Sequence, residues 1–290
     1  MSATYTYKEV DGLSLRADVW GASQGARKPV VLWVHGGALI MGSRKQTLHP
    51  FQEQLLEQGY AVVSIDYRLA PETKLPGIIE DLRDAHGWLH KQGPKELGID
   101  PERIAVAGAS AGGYLTLMTG FCVSPRPRAL VSYFGYGDIT TPWYAEPDPF
   151  YRQQPLVSRE EAESAVGKTP LYEPPAQNQR GRFYLYSRQQ GRWPLEVAGH
   201  DPHQESRWFD RYCPIRNVSR EYSPTLLIHG TVDTDVPYSE SATMAARLKE
   251  HGVSHELVTL EGVGHGLSSA KPEEIASTNE KALAFLRRHL

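Results

Sequence analysis

The chain is poor in cysteine, in charge of one sign and in long apolar runs, and each shortage removes a class of protein. Two cysteines occur in 290 residues, Cys122 and Cys213. They lie far apart and outside any C-x-x-C spacing, so we expect one buried thiol and one thiol in a later insertion rather than a disulfide or metal pair. The 31 Lys and Arg nearly cancel the 34 Asp and Glu, leaving a formal charge of −3. No strong field points to nucleic acid or to anionic lipid, and a small, neutral or weakly charged molecule is the expected partner. No run approaches the roughly 20 apolar residues that span a bilayer, so no membrane partner is expected. The stretch from Met1 to Glu9 has no basic or apolar targeting region, which together with the cysteine usage leads us to expect a cytoplasmic location. Oligomeric state is not legible.

What the chain does have is an alternation of short apolar strands with amphipathic segments. Thr4 to Glu9 and Leu13 to Trp20 alternate around Asp11-Gly12, a hairpin signal and an antiparallel edge. Continuous apolar runs follow at 29–35, 60–66, 104–108 and 129–134, each read as a strand covered on both faces. Helices are expected over 48–58, 78–92 and from the end of the third run to about Phe121. The same order resumes with strands at 224–230 and 255–260 and helices at 238–249 and 273–290. Strands alternating with helices predict an α/β fold whose mostly parallel sheet brings the loops at the strands' carboxyl ends to one edge.

Between Asp138 and Tyr222 the texture changes to Pro, Tyr, Trp, Gln and Arg. A piece that long is not bare loop, and we read it as a cap inserted after the sixth strand, with short helices near 159–165 and 204–212. The expected organisation is a core of 1–137 and 223–290 and a cap of 138–222. The cap's aromatic residues, among them Trp143, Tyr144, Tyr151, Tyr184 and Trp193, either line an acyl or aryl pocket or form the cap's own core, the second being the main expectation, and the arginines between Arg180 and Arg220 are expected to form a solvated face. His200-Asp201-Pro202-His203 lacks further ligands at suitable spacing for a metal site.

The chemistry is concentrated where the strand 104–108 breaks into Gly108-Ala109-Ser110-Ala111-Gly112. A G-x-S-x-G sequence between a strand and a helix is a nucleophile elbow, a turn so sharp that the serine Oγ stands clear of the sheet and only small neighbours fit. The following helix aims its N–H groups at the same point, which suits an oxyanion. Serine at its ordinary pKa is a poor nucleophile and needs a base, itself oriented by an acid. His265, glycine-flanked in Gly262-Val263-Gly264-His265-Gly266, is the expected base among 11 histidines. Asp233 and its neighbour Asp235, just after the strand 224–230, are the candidate acids, with His229 as buried support. His35-Gly36-Gly37-Ala38 follows another strand, and its glycines let amides turn toward an ester oxygen. Gly37, Ala38 and Ala111 are the expected oxyanion donors, with Gly36 shaping the turn and His35 bracing it. One such donor is worth on the order of 3 kcal/mol in the transition state.

These segments, with Asp66-Tyr67-Arg68-Leu69-Ala70-Pro71-Glu72, resemble the α/β-hydrolase superfamily and, within it, carboxylesterases of the hormone-sensitive-lipase type. The stretch His229-Gly230-Thr231-Val232-Asp233-Thr234-Asp235-Val236-Pro237 is similar to the H-G-x-x-D-x-x-V-P pattern of such enzymes, which implies Asp233 as the acid. The resemblance implies a cofactor-free serine esterase acting on short-to-medium acyl or aryl esters, with Ser110 as nucleophile, His265 as proton shuttle and Asp233 orienting it. Two features depart from it: only 34 residues precede His35, with the cap placed after the sixth strand, and the fourth position of H-G-G-A is Ala38. Rival readings are a serine peptidase of the prolyl-oligopeptidase kind, which lacks its propeller here, and a ligand-binding protein on a retired hydrolase fold. Dehalogenases and epoxide hydrolases place a carboxylate where Ser110 stands.

Overall fold

Five runs of wholly or largely buried side chains set the middle of the molecule, and their register explains the rest. The computed structural model describes residues 2–46, 49–174 and 179–290. The strands are β1 (Ser2–Val10), β2 (Leu13–Trp20), β3 (Lys28–Val34), β4 (Ala61–Ile65), β5 (Ile99–Ala109), β6 (Ala129–Tyr133), β7 (Thr225–Gly230) and β8 (His255–Leu260). They form one eight-stranded sheet in the order β1-β2-β4-β3-β5-β6-β7-β8. The edge hairpin β1–β2 is antiparallel, as is the β2–β4 pair. Every other neighbour is parallel, so β3 to β8 all point their carboxyl ends the same way. Residues with apolar side chains on both faces satisfy such a sheet only if helices cover it on both sides.

They do. The helices are α1 (His49–Glu57), α2 (Leu75–Lys91), α3 (Gly93–Glu96), α4 (Ala111–Cys122), α5 (Pro142–Ala145), α6 (Arg159–Ser164), α7 (Arg180–Gln189), α8 (Trp193–Ala198), α9 (Tyr238–Glu250) and α10 (Pro272–His289). Ile78, Leu82, Tyr114, Leu115, Met244 and Leu248 pack one sheet face with α2, α4 and α9. Phe51, Leu55, Leu283 and Leu286 cover the other face with α1 and α10. The expected α/β fold is therefore the observed one.

Boundaries differ in three places. Helix α2 starts at Leu75, three residues before the expected start, because Pro76 fits a first turn whose N–H groups have no partner in any case. Strand β5 begins at Ile99; an irregularity in its pairing with β3 absorbs Pro101 and hid the first half from an alternation pattern. The expected helix over 204–212 is a run of 3-10 turns, Ser206–Tyr212. Of the expected helix 48–58, Leu48 lies outside the described residues. Both cysteines are free, Cys213 buried, and no described helix is long and apolar enough to cross a membrane.

The segment between β6 and β7 does not stand apart from this core. Tyr144, Phe183, Trp193 and Phe209 are buried in the same cluster as Leu39, Tyr67 and Tyr114. Its helices α7 and α8 hydrogen-bond to the turn after β3 and to the loop after β7.

Two glycines flanking Ser110 at the carboxyl end of β5 allow close backbone approaches. A Cβ on Gly108 would sit 2.4 Å from Gly112 O, and one on Gly112 would sit 2.0 Å from Val34 O. Both obstacles are backbone, so Gly108→Ala and Gly112→Ala should each cost more than about 2 kcal/mol in urea unfolding. Gly87, mid-helix in α2 with open space at its Cβ, should gain about 0.5–1 kcal/mol as alanine. Similar unfolding midpoints for all three variants would contradict this packing.

Candidate active site

Ser110 connects β5 to α4 with φ 55° and ψ −119°, a conformation that costs a non-glycine residue on the order of 1–3 kcal/mol. It is held there from both sides. Its N–H donates to Tyr133 O at 2.9 Å, and its carbonyl accepts from Tyr114 N–H at 3.0 Å. The side chain sits at the bottom of the sheet edge, and the residue is 9% exposed. Because β5 pairs in parallel with β3 and β6, the ends Val34, Ala109 and Tyr133 lie side by side.

The turn after β3 passes directly over this elbow. A Cβ on Gly36 would lie 2.8 Å from Ala109 O and 3.4 Å from the Ser110 Cβ, so only glycine lets the chains approach so closely. Gly37, Ala38 and Leu39 then take φ values of 105°, 56° and 62°. The reversal is closed by Ile40 and Met41, whose N–H groups both donate to Gly37 O at 2.9 Å. Among the described residues the N–H groups of Gly37, Ala38 and Ala111 donate to no backbone carbonyl, which leaves three donors beside Ser110.

The turn is braced from below and above. His35 is buried and stacks on Tyr67 at 4.1 Å, and Tyr67 Oη donates to His35 O at 3.0 Å. Burial pushes the His35 imidazole down to about 4, so it is neutral at physiological pH. From above, Trp193 Nε1–H donates to Ala38 O at 3.0 Å, and Arg180 Nε–H to Ile40 O at 2.5 Å. The Arg180 guanidinium also donates to both carboxylate oxygens of Glu72 at 2.7 Å and to Ala70 O. Burial raises the Glu72 carboxyl, but Arg180 and the Gly167 N–H outweigh it and hold the group below its ordinary value.

The carboxylate and imidazole arrive from β7 and β8. Asp233 Oδ1 accepts from Asp235 N–H at 2.8 Å and Val236 N–H at 2.9 Å, leaving Oδ2 to face His265 Nδ1 at 2.7 Å. His229 Nε2 lies 3.3 Å from the same Oδ2, and its Nδ1 lies 2.8 Å from Ser241 Oγ. Burial works against the Asp233 charge, yet the two imidazoles and the loop amide hold its carboxyl well below the usual range. His265 is presented by a turn in which Gly266 takes φ 69° and Gly264 N–H donates to Ser268 O at 3.0 Å. Phe134 packs edge-on against its ring at 4.8 Å.

The far face of the imidazole meets a second carboxylate. Asp235 Oδ2 lies 3.3 Å from His265 Nε2. Its Oδ1 accepts from Tyr151 Oη–H at 2.6 Å, from Arg188 at 2.8 Å and from Tyr184 Oη–H. Burial lowers the His265 pKa, but the Asp233 hydrogen bond and the charges of Asp235 and Asp233 overcome it, and the pKa is raised from its ordinary 6.5. Among the described residues no hydrogen bond joins Ser110 Oγ to the ring. The structure thus pairs Asp233 with His265 and places the H-G-G-A turn over Ser110, while Nε2 of the ring faces Asp235.

One expectation about the β6–β7 segment needs correction. Arg180 and Arg188 are 2% and 1% exposed, not part of a solvated face. Each is an inward-facing position of α7 with a carboxylate waiting in the core, and Arg188 also lies over the rings of Trp143, Tyr144, Tyr151 and Tyr184. Residues 207, 211, 216 and 220 are exposed as expected. No group of three or more His, Cys, Asp or Glu side chains among the described residues is arranged so that it could hold a metal ion. Pattern reading missed Arg180 and Arg188 as site neighbours, and placed Tyr151, Tyr184 and Trp193 first in the core of the inserted segment. The spacing of Arg180, Phe183, Ser187 and Arg188 along one helix face was the available signal.

Known proteins agree with this architecture. The family described as the alpha/beta hydrolase fold matches residues 31–269, and the chain belongs to it. Among curated relatives, the non-reducing polyketide synthase ausA of Emericella nidulans is 28% identical over 344 residues, covering 99% of this chain and 14% of its own. The synthase pkbA of the same organism is 30% identical over 318 residues, covering 89% of this chain and 12% of its own. The chain therefore spans only a small part of the curated relatives it matches. Among solved structures, a protein of unknown function from Staphylococcus aureus superposes with a TM-score of 0.78 at 22% identity, over 99% of both chains. Propionate-bound esterase 2 of Thermogutta terrifontis superposes with a TM-score of 0.70 at 22% identity, over 99% of this chain and 94% of that one.

Removing Arg180 strands a buried carboxylate. Arg180→Ala should destabilise the protein by about 3 kcal/mol or more, because Glu72 then keeps its charge without its main partner. Arg159→Ala, which breaks an exposed pair with Glu163, should leave the unfolding midpoint unchanged. Equal midpoints for the two variants would contradict the burial argument.

Proposed function

We propose that the protein is a serine carboxylesterase that hydrolyses short-to-medium acyl or aryl esters of small molecules through an acyl-Ser110 intermediate. The observation that carries this reading is the strained Ser110 under three amides without backbone partners, with the Asp233–His265 pair reaching the same sheet edge. Esterase 2 of Thermogutta terrifontis, similar in fold, has been solved phosphonylated by sarin and bound to propionate and to butyrate. Short acyl groups and phosphorus electrophiles are accordingly the first reagents to try here.

In the proposed reaction Ser110 Oγ attacks the carbonyl carbon and its proton passes to His265 Nε2. Negative charge on the carbonyl oxygen is met by the N–H groups of Gly37, Ala38 and Ala111, with Gly36 allowing the close approach. The C–O bond then breaks as Nε2–H protonates the departing alkoxide. Water repeats the sequence: His265 Nε2 takes a proton from it as the hydroxide adds to the acyl carbon, and the acyl–Oγ bond then breaks as Nε2–H protonates Ser110 Oγ and the carboxylic acid is released. Asp233 keeps Nδ1 protonated, so that Nε2 is the nitrogen that receives and returns the proton. The segment 138–222 acts as a cap over this chemistry.

Ser110→Ala should abolish turnover of p-nitrophenyl acyl esters with the circular dichroism spectrum unchanged, and should lose labelling by a fluorophosphonate probe. Substantial residual turnover would remove Ser110 from the mechanism. Peptidyl amides consumed faster than esters would replace the esterase by a peptidase. Because His265 must be neutral to act as base and its pKa is raised, kcat/KM should climb with pH through a value above ~6.5. A profile flat from pH 5 to 8 would contradict that role.

A further inference from the structure

We propose that Asp235 is a positioning residue that captures the protonated base, holding the His265 imidazolium between two carboxylates with its reactive nitrogen turned away from Ser110. The inference rests on the esterase reading and extends it to how the site is switched on.

Asp235 is built for this rather than stranded on a loop. Its Oδ1 is anchored by three donors from the β6–β7 segment: Tyr151, Tyr184 and Arg188. Arg188 is fixed in turn by Asp148, whose Oδ2 accepts from it at 2.5 Å, and by a further bond to Asp235 O at 3.0 Å. With Oδ1 occupied, Oδ2 is the oxygen left over, and it points at His265 Nε2 at 3.3 Å. Asp233 holds the opposite nitrogen at 2.7 Å. An imidazolium donates from both nitrogens and satisfies both carboxylates, whereas a neutral ring protonated on Nδ1 donates only to Asp233 and leaves a lone pair against the Asp235 charge. Loss of the proton therefore weakens the Asp235 contact and frees Nε2 to accept from Ser110.

The charged and titratable groups facing the ring are few. Asp233 and Asp235 come from the loop after β7, Arg188 from α7 opposes them, and His229 stands behind Asp233. Phe134, at the end of β6, is uncharged. Ser110 supplies the hydroxyl that the freed nitrogen meets.

The test uses variants whose effects have opposite sign. Asp235→Asn keeps the shape and removes the charge, so the acid limb of kcat/KM should move down by about one pH unit. Tyr151→Phe keeps the charge and removes one donor, leaving the carboxylate less neutralised, so the limb should move up. In parallel, the ring is titrated directly by NMR of histidine-labelled protein, with the His265 signal identified by its loss in His265→Gln. Both readouts shifting in opposite directions in the two variants supports the proposal. Unchanged titrations, or shifts of the same sign in both, overturn it, because a merely structural defect lowers the plateau without moving the limb. If the wild-type protein turns over no ester at any pH, the esterase reading fails and the ring titration alone decides the role of Asp235.

Discussion

A single strained turn organises the molecule. Ser110 sits at φ 55° and ψ −119°, and the strain is tolerated because its two flanking peptide groups are hydrogen-bonded into β6 and α4. That geometry forbids bulk on either side, and the chain obeys with Gly108, Ala109, Ala111 and Gly112. It also sets how closely β3 must approach, since Gly112 nearly touches the carbonyl of Val34. The parallel register of β3, β5 and β6 is thus bound to the elbow: shift one strand by a residue and the small side chains no longer face one another.

Around the turn, the β6–β7 segment contributes charge where charge is costly. A buried guanidinium loses hydration that only close carboxylates and carbonyls replace, and such pairs contribute little net stability while being expensive to break. Helix α7 carries two of them. Arg180 reaches Glu72 and the carbonyls of Ile40 and Ala70, and so ties the segment to the turn that presents Gly37 and Ala38. Arg188, two turns further along, reaches Asp148 and Asp235 and ties it to the loop that presents Asp233. The two arginines therefore tie the turn after β3 and the loop after β7 to one short helix.

Much of this was legible in the sequence where the signal is local. The buried runs of β3 to β7 read as strands because five or more consecutive apolar or small residues leave little else to do. Gly108 to Gly112, Gly36 to Ala38 and Gly264 to Gly266 were visible because glycine at a strand end marks a turn that something must approach. What escaped was non-local. Helix α7, Arg-Gly-Arg-Phe-Tyr-Leu-Tyr-Ser-Arg-Gln, has no apolar stripe, and its buried face is half guanidinium. Its partner Glu72 lies 108 residues away and Asp235 47 residues away, so no window on the sequence brings them together. Asp235 was legible as the rival acid for His265, but its place at the opposite ring nitrogen from Asp233 was not.

The central claim is that Ser110 lies beneath amides poised to receive an oxyanion. A crystal structure of the protein inhibited by an organophosphonate tests it most directly. The account predicts phosphorus bonded to Ser110 Oγ and its phosphoryl oxygen within roughly 2.7–3.1 Å of the N–H groups of Gly37, Ala38 and Ala111. An adduct on another residue, or a phosphoryl oxygen turned away from those amides, would contradict it.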